Sequence, residues 1–372
     1  MSSVEDLYVR HQIDLVRYSS GFGGQMSTLL KQTHTAIANK LLTQEQTPFQ
    51  RQRLLSFAGD IQAMLEVGYA KALGIATKEM RGLAVVETGW NQEALQVASG
   101  ERATRVSAGA VFVTANAKPF HGAAMTPWFE TLERDERKLL IGTVQQGFIT
   151  GQTNAEIAAS LKPAFNRYEN NIKTIARTSV QHMASAVRIA SIQENANLTD
   201  GYLWTSVLDG RTTLQVCVPR DGLAYTAMGE PIDHSYPDLG GPGNAHWNCR
   251  ATAVPNVKGV DQSMDTRPSF DYNQKTTTKA RSTIRKDSGT HKRVPKGARN
   301  PTADRMGKPV QTTSKFPGWF ERQPKWFQKD YLGPERFKMY DSKALSIKSF
   351  SSKDGSFLTL NDLRQRYPSV ST

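Results

Sequence analysis

The stretch that decides the fold runs from residue 171 to residue 207 and reads NIKTIARTSVQHMASAVRIASIQENANLTDGYLWTSV. Apolar residues recur at helical spacing through Ile172, Ile175, Met183 and Val187, which predicts an amphipathic helix. Residues 201–207 then have the aromatic and β-branched composition of a short strand. Because this helix leads directly into a strand-rich unit, the sequence predicts an α+β module in the middle of the chain.

Polar and sulfur-bearing motifs follow the strand. A triplet of Asp209, Arg211 and Thr212 comes first, and the chain's only two cysteines come next. Cys217 precedes a turn at residues 220–222, and Cys249 belongs to the run His-Trp-Asn-Cys-Arg at residues 246–250. These residue types in this order carry most of the chemical information in the chain.

The order of these motifs resembles the minor head protein family of tailed bacteriophages, typified by the phage Mu F-like head morphogenesis proteins. The resemblance covers approximately residues 126–257, and residues 316–372 are similar to the short module that ends many such proteins. It implies a structural, non-enzymatic protein of the virion, at the head interior or portal vertex. Its implied partners are the portal protein, the scaffold or major capsid protein, and packaged DNA. The matching positions are Arg177, Thr178, Gly201, Tyr202, Trp204, Asp209, Arg211, Thr212, Cys217, Asp221, Gly222, His246, Asn248, Cys249 and Arg250.

The composition of the chain indicates the compartment in which the protein is assembled. Two cysteines in 372 residues are typical of a protein assembled in a reducing cytoplasm, here that of the host. The sequence has no continuous apolar span of about 20 residues and no apolar run near its first residues, so we expect neither a membrane helix nor a secretory signal. The formal net charge of +13 favours phosphate-rich or acidic partners.

The predicted fold class is α+β, mainly helical, with long N-terminal helices, a small central antiparallel sheet and a short C-terminal α/β module. The predicted domains are a helical region (1–125), the central module (126–258), a basic flexible linker or arm (259–315) and the C-terminal module (316–372). In the first region we expect a helix over residues 5–42, interrupted near residues 21–24, and a second helical run that begins after an N-cap at Thr47 and continues through Val97.

Further helix boundaries follow from caps and prolines. A helix is expected from Thr126 to about residue 151, and a capping box at residues 153–156 predicts a short helix before the separate Ile172 helix. Near the end of the chain, a stop at residues 333–334, a turn at 353–355 and a cap at 359–362 are expected. The aromatic residues of this end are spaced to share one helix side: Trp319, Phe320, Trp326, Phe327 and Tyr331.

The predicted linker holds the densest basic stretch of the chain. It has no apolar period and is rich in small, polar and charged residues, which is the composition of a segment that does not fold alone. One interpretation is a solvated tether, and the other is contact with DNA or an acidic capsid surface. The candidate DNA-binding residues are Lys279, Arg281, Arg285, Lys286, Lys292, Arg293, Lys296 and Arg299.

Cys217, His246 and Cys249 are candidate zinc ligands, since zinc prefers thiolate and imidazole in tetrahedral sites. Asp221 or Asp209 is the candidate fourth ligand. Two other interpretations remain open: the cysteines are small buried hydrophobes with a hydrogen-bonded histidine, or they form a disulfide. In each case we expect the three residues to converge in space.

Enzymatic interpretations have less support from the residues. Asp209 and Arg211 at this spacing suit a fastened loop, and we expect them to form a network with Arg177. His246 and Asn248 resemble part of a His-Asn-His nuclease motif, but the second histidine is missing. The alternatives to a structural head protein are a virion-carried metal-dependent nuclease or toxin-like enzyme, and a nonspecific DNA-packing protein.

Overall fold

The computed structural model describes residues 3–43, 51–117, 124–262, 265–273, 310–311 and 314–368. These residues form two compact units. The first unit contains the chain up to Leu15, Thr88–Val106 and everything from Arg188 onward, and the second contains Val16–Glu87 and Ser107–Val187. None of the helices in the described ranges is both long and apolar enough to cross a membrane. The small sheet among many helices confirms the predicted α+β class.

The first five helices are α1 (Val4–Leu42), α2 (Arg51–Ser99), α3 (Ala108–Ala117), α4 (Met125–Ile149) and α5 (Asn154–Glu194). The predicted interruption of α1 near residues 21–24 is wrong, because the helix continues through them. Gly23 has a packing role instead: a Cβ there would lie 3.3 Å from the carbonyl oxygen of Lys173 on α5. The glycine therefore allows two helices of the second unit to approach closely. The predicted N-cap at Thr47 lies outside the described residues.

Helix α5 joins two segments that were predicted to be separate helices. The capping box at its start is confirmed, since the Thr153 N–H donates to Glu156 Oε2 (2.8 Å) and the Glu156 N–H donates to Thr153 Oγ1 (3.2 Å). The helix nevertheless continues through Pro163. A proline removes one backbone hydrogen bond, whereas Ile157 before it and Ile172 after it are both fully buried. Burial on both sides of the proline keeps the helix continuous.

A buried polar cluster connects four helices of the second unit. His34 on α1 has its Nε2 2.7 Å from Glu136 Oε1 and its Nδ1 3.1 Å from Glu169 Oε1. Tyr69 on α2 donates to the other oxygen of Glu136 at 2.6 Å. Phe165 stacks on the imidazole with ring centroids 4.3 Å apart. Because buried polar groups must be paired, this cluster fixes the helices in one register.

The sheet of the first unit consists of β1 (Thr199–Thr205), β2 (Ala224–Tyr225), β3 (Pro231–Ile232) and β4 (Thr252–Val257), in the order β3-β2-β1-β4 with antiparallel pairing. A one-turn helix, α6 (Cys217–Arg220), lies between β1 and β2. Tyr202 pairs with Tyr225 and Trp204 with Ala253. This confirms the small antiparallel sheet, whose core holds both cysteines.

Part of the range predicted as a linker is packed. The short strand β5 (Thr266–Arg267) pairs with β6 (Val310–Gln311), and Phe270 and Tyr272 are buried. Two aromatic side chains separated by one residue gave no period that sequence reasoning could detect, yet they are enough to anchor residues 265–273. The eight basic residues between 279 and 299 that were named as DNA-binding candidates lie outside the described residues.

The chain then forms α7 (Phe316–Glu321), α8 (Lys325–Leu332), α9 (Pro334–Asp341), a 3-10 helix (Ile347–Phe350) and α10 (Leu360–Arg366). The expectation that the aromatic residues share one helix is wrong, because they are divided between α7 and α8. Pro324 disfavours helical geometry at the residue before it and so separates the helices. The capping box of Thr359 and Asp362 is confirmed. These helices share a core with Leu208 and Val218, which follow β1.

Candidate metal centre

Cys217, His246 and Cys249 converge in the first unit, with one ligand atom of each within 4.8 Å of the others. The Cys217 Sγ lies 3.1 Å from His246 Nε2 and 3.9 Å from the Cys249 Sγ. Both cysteines are free and buried. The sheet produces this arrangement, because α6 follows the loop after β1 and Cys249 lies three residues before β4, which pairs with β1.

Hydrogen bonds orient the imidazole towards the sulfur atoms. His246 Nδ1 lies 2.9 Å from the carbonyl oxygen of Trp247, which leaves Nε2 for Cys217 and for the Thr213 hydroxyl at 3.0 Å. A histidine that donates one ring N–H to a backbone carbonyl and directs the other nitrogen at a metal is a common zinc-site arrangement. Thr213 was not singled out from the sequence, because a lone threonine in a polar loop gives no signal.

The two thiols differ in character. The hydrogen bond with Cys249, together with burial, raises the pKa of Cys217 above its usual value. Burial alone would also raise the pKa of Cys249, but hydrogen bonds from Cys217 and His246 outweigh burial and lower it. Burial alone would lower the pKa of His246, but the hydrogen bond of its imidazole with Cys249 outweighs burial and raises the pKa. One thiol of the pair is therefore the better thiolate donor.

The donor set fits a tetrahedral zinc ion. A zinc–sulfur bond of about 2.3 Å gives a tetrahedron whose sulfur–sulfur edge is about 3.8 Å. The observed separation of Cys217 and Cys249 is 3.9 Å. If zinc binds, these three protein ligands would leave one coordination position for water or another donor. Two thiolates and an imidazole are soft ligands that suit zinc better than magnesium or calcium.

Asp221 does not belong to this group of ligand atoms. Its carboxylate accepts hydrogen bonds from the fully buried Arg267 (3.0 and 2.6 Å) and from the backbone N–H groups of Ser206 (2.7 Å) and Phe316 (2.6 Å). Arg267 also contacts Glu5 at 3.1 Å. Asp221 therefore connects the motif turn to three other parts of the first unit. Arg267 was missed as its partner because it lies in the range predicted as linker.

Asp209 is held mainly by Arg250, which the sequence did not indicate, and also by Arg211, which it did. Arg250 donates to both carboxylate oxygens, at 2.5 and 2.6 Å. Arg211 donates its backbone N–H to Oδ1 at 2.9 Å, and its side chain forms a longer ion pair at 3.9 Å. Arg177, the third expected member of the network, is on α5 in the second unit. Burial would raise the pKa of Asp209, but the Arg250 guanidinium outweighs it and holds the pKa below its usual range. The pair fastens the loop after β1 to the segment after Cys249.

The other motif residues are buried in the fold or shape its turns. Trp204 and Thr178 are fully buried, on β1 and α5 respectively. Thr212 donates its hydroxyl hydrogen bond to the carbonyl oxygen of Val207. Gly222 and Asn248 both have positive φ, at 78° and 57°. Such backbone conformations suit glycine and asparagine, so these two residues shape the turns that carry the cysteines.

The family model described as Phage Mu protein F like protein matches residues 141–254. That range contains all of α5, the motif loop, three strands of the sheet and all three candidate zinc ligands. The match confirms the resemblance found in the motifs and places a Phage Mu F-like domain at residues 141–254. No curated protein and no solved structure matches the chain.

Proposed function

We propose that this chain is a structural, non-enzymatic minor head protein of a tailed bacteriophage, which acts at the portal vertex or capsid interior. The observation that supports it is the match of residues 141–254 to the phage Mu protein F like family. Its proposed partners are the portal protein and the scaffold or major capsid protein. The formal net charge of +13 also suits contact with the packaged DNA during packaging or ejection.

The proposal predicts that the chain and the portal protein capture each other. In reciprocal pull-downs with purified proteins, each tagged partner should retain the other, and the chain should be found in purified virions. As a matched control, the major tail protein of the same phage is used as bait and should retain neither the chain nor the portal protein. Absence from virions together with failure of both pull-downs would refute the head role. Cleavage of DNA by the purified chain with added divalent metal would instead support the nuclease alternative.

We also propose that Cys217, His246 and Cys249 bind a structural zinc ion. Bound zinc would crosslink α6 to the segment before β4, so it would stabilise the loops that the family motifs build. The support is the donor set and the 3.9 Å separation of the sulfur atoms, close to the edge expected for zinc. In this proposal the ion would serve only to join these two segments of the chain.

Elemental analysis tests the zinc proposal. The wild-type protein should contain about one zinc per chain, and His246→Ala should lose both the metal and thermal stability. His234→Ala is the matched control, since His234 lies in the same unit and hydrogen-bonds the carbonyl oxygen of Ala224 instead. This variant should retain its zinc. A metal-free wild-type protein whose stability is unaffected by zinc or chelator would leave the packed Cys/His cluster as the correct interpretation.

A further inference from the structure

Cys217 and Cys249 form a pair of adjacent thiols in the first unit. They lie 32 positions apart in the chain, and folding brings their sulfur atoms to 3.9 Å from each other. The chain has no other cysteine, so each sulfur has only one possible partner within the molecule. Two thiols held side by side can bind a metal or can be oxidised, and the zinc proposal uses only the first of these properties.

The two sulfur atoms can reach bonding distance without a change in the sheet. A disulfide bond is about 2 Å long, so the sulfur atoms must approach each other by roughly 1.9 Å in total. Cys249 lies outside the paired residues of β4, which begin at Thr252. Cys217 begins α6, a helix of a single turn. Because neither cysteine belongs to a strand, small movements of both leave the pairing of β1 and β4 intact.

The burial of the thiols favours a small oxidant. Cys217 is 3% exposed and Cys249 is 0% exposed, which disfavours attack by a bulky disulfide such as oxidised glutathione. His246, whose Nε2 lies 3.1 Å from the Cys217 Sγ, is half-buried, and Trp247 beside it is exposed. The sulfur atoms therefore lie just below the surface, where a peroxide can reach them.

The oxidation consumes one molecule of hydrogen peroxide. One sulfur attacks a peroxide oxygen, the O–O bond breaks, and the hydroxide that leaves takes the thiol proton and becomes water; a sulfenic acid remains on that sulfur. The other sulfur then attacks the sulfenic acid. The S–S bond forms, the S–O bond breaks, and the second hydroxide leaves as water with the second thiol proton. In total the two sulfur atoms lose two electrons and the peroxide gains them.

We infer that peroxide oxidises Cys217 and Cys249 to an intramolecular disulfide, and that this bond replaces zinc as the crosslink between α6 and the segment before β4. A disulfide offers no thiolate to a metal, so its formation would release the ion. The inference rests on the proposed function in two respects only: zinc is what the disulfide replaces, and a virion released from its host meets the oxidising surroundings in which disulfides persist. The bond itself follows from the positions of the sulfur atoms.

Counting the thiols of the whole wild-type chain tests the inference. After treatment with hydrogen peroxide, denaturation and alkylation, neither cysteine should carry the alkylating group, and peptide mapping should find Cys217 joined to Cys249 in the monomeric chain. A dithiol reductant should restore both thiols. Cys217→Ser and Cys249→Ser are the matched controls, since each variant keeps one thiol and should form no intramolecular bond.

A second measurement shows whether the fold itself favours the bond, and it needs no variant. The folded chain and the urea-unfolded chain are each equilibrated with reduced and oxidised mercaptoethanol in the presence of a chelator. Because folding holds the sulfur atoms close together, the ratio of disulfide to dithiol should be at least about tenfold higher in the folded chain. An equal or lower ratio would overturn the inference, and so would oxidation of the wild type to sulfinic acid or to dimers between chains.

Zinc release separates this inference from the zinc proposal. In the zinc-loaded wild type, about one zinc should be released for each disulfide formed. A wild type that binds no zinc would refute the zinc proposal, whereas the chelator-treated chain should still form the disulfide. Two thiols that survive peroxide in the chelator-treated chain would refute the disulfide and leave both the zinc site and the portal contact standing.

Discussion

Replacing Arg250 by alanine should destabilise the first unit more than any exposed substitution in the same motif. Asp209 is 4% exposed, and its two oxygens accept bonds of 2.5 and 2.6 Å from Arg250. Removing one partner of a buried ion pair leaves an uncompensated charge, which costs roughly 3–5 kcal/mol. Because the Arg250 side chain is 15% exposed and water can reach the vacated position, we expect about 3 kcal/mol.

Urea denaturation of the whole chain measures this loss, with Arg211→Ala as the matched control. The Arg211 side chain is 45% exposed and 3.9 Å from the same carboxylate, so its removal should cost less than about 1 kcal/mol. In an Asp209→Ala background the cost of Arg250→Ala should fall to about 1 kcal/mol, because the carboxylate that this substitution would leave unpaired is already gone. Equal losses for the two arginine variants, or the same loss in both backgrounds, would refute the reasoning.

The remaining predictions concern acidity, backbone geometry and the helical unit. Burial raises the pKa of Glu5 from 4.5 to about 7, so the folded state holds this proton more tightly than the unfolded state does. The resulting stabilisation is complete below about pH 4.5 and is lost as the pH rises to about 7. The free energy of unfolding should therefore fall by up to about 3 kcal/mol, and Glu5→Gln should abolish this fall. Unfolding free energies at about pH 4.5 and about pH 8 check this, and a wild-type fall that persists in Glu5→Gln would contradict it. Gly201→Ala should cost at least about 2 kcal/mol, because φ is 103° and the new Cβ would lie 2.1 Å from the Tyr225 carbonyl oxygen. Gly21→Ala, in open space on a helix, should stabilise by about 0.5–1 kcal/mol, and thermal melts that rank the two alanines the other way would exclude the steric argument. His34→Leu should cost roughly 3 kcal/mol, because it leaves the buried Glu136 carboxylate without its imidazole partner, and a loss below about 1 kcal/mol in urea would show that this contact does not hold the cluster together.

Local patterns predicted the parts of the fold that depend on neighbouring residues. The capping boxes at Thr153 and Thr359 and the strand at Tyr202 and Trp204 were identified from residue type and spacing alone. Predictions failed where tertiary contacts overrode a local signal. Helix α5 continues through Pro163 because both flanking turns are buried. Propensity describes an isolated helix, and packing outweighs it whenever enough apolar surface is available.

In the candidate site, too, the sequence predicted some features and tertiary contacts decided others. The sequence identified Cys217, His246 and Cys249 as a set because thiol and imidazole groups are rare and specific in their chemistry. It did not identify which arginine holds Asp209, since Arg211 is nearer in sequence and Arg250 is nearer in space. Pairing between charges depends on the register of β1 and β4, which brings the segment after Cys249 beside the loop after Trp204. A motif can therefore report which residues are needed at a site, whereas the sheet register decides which of them touch.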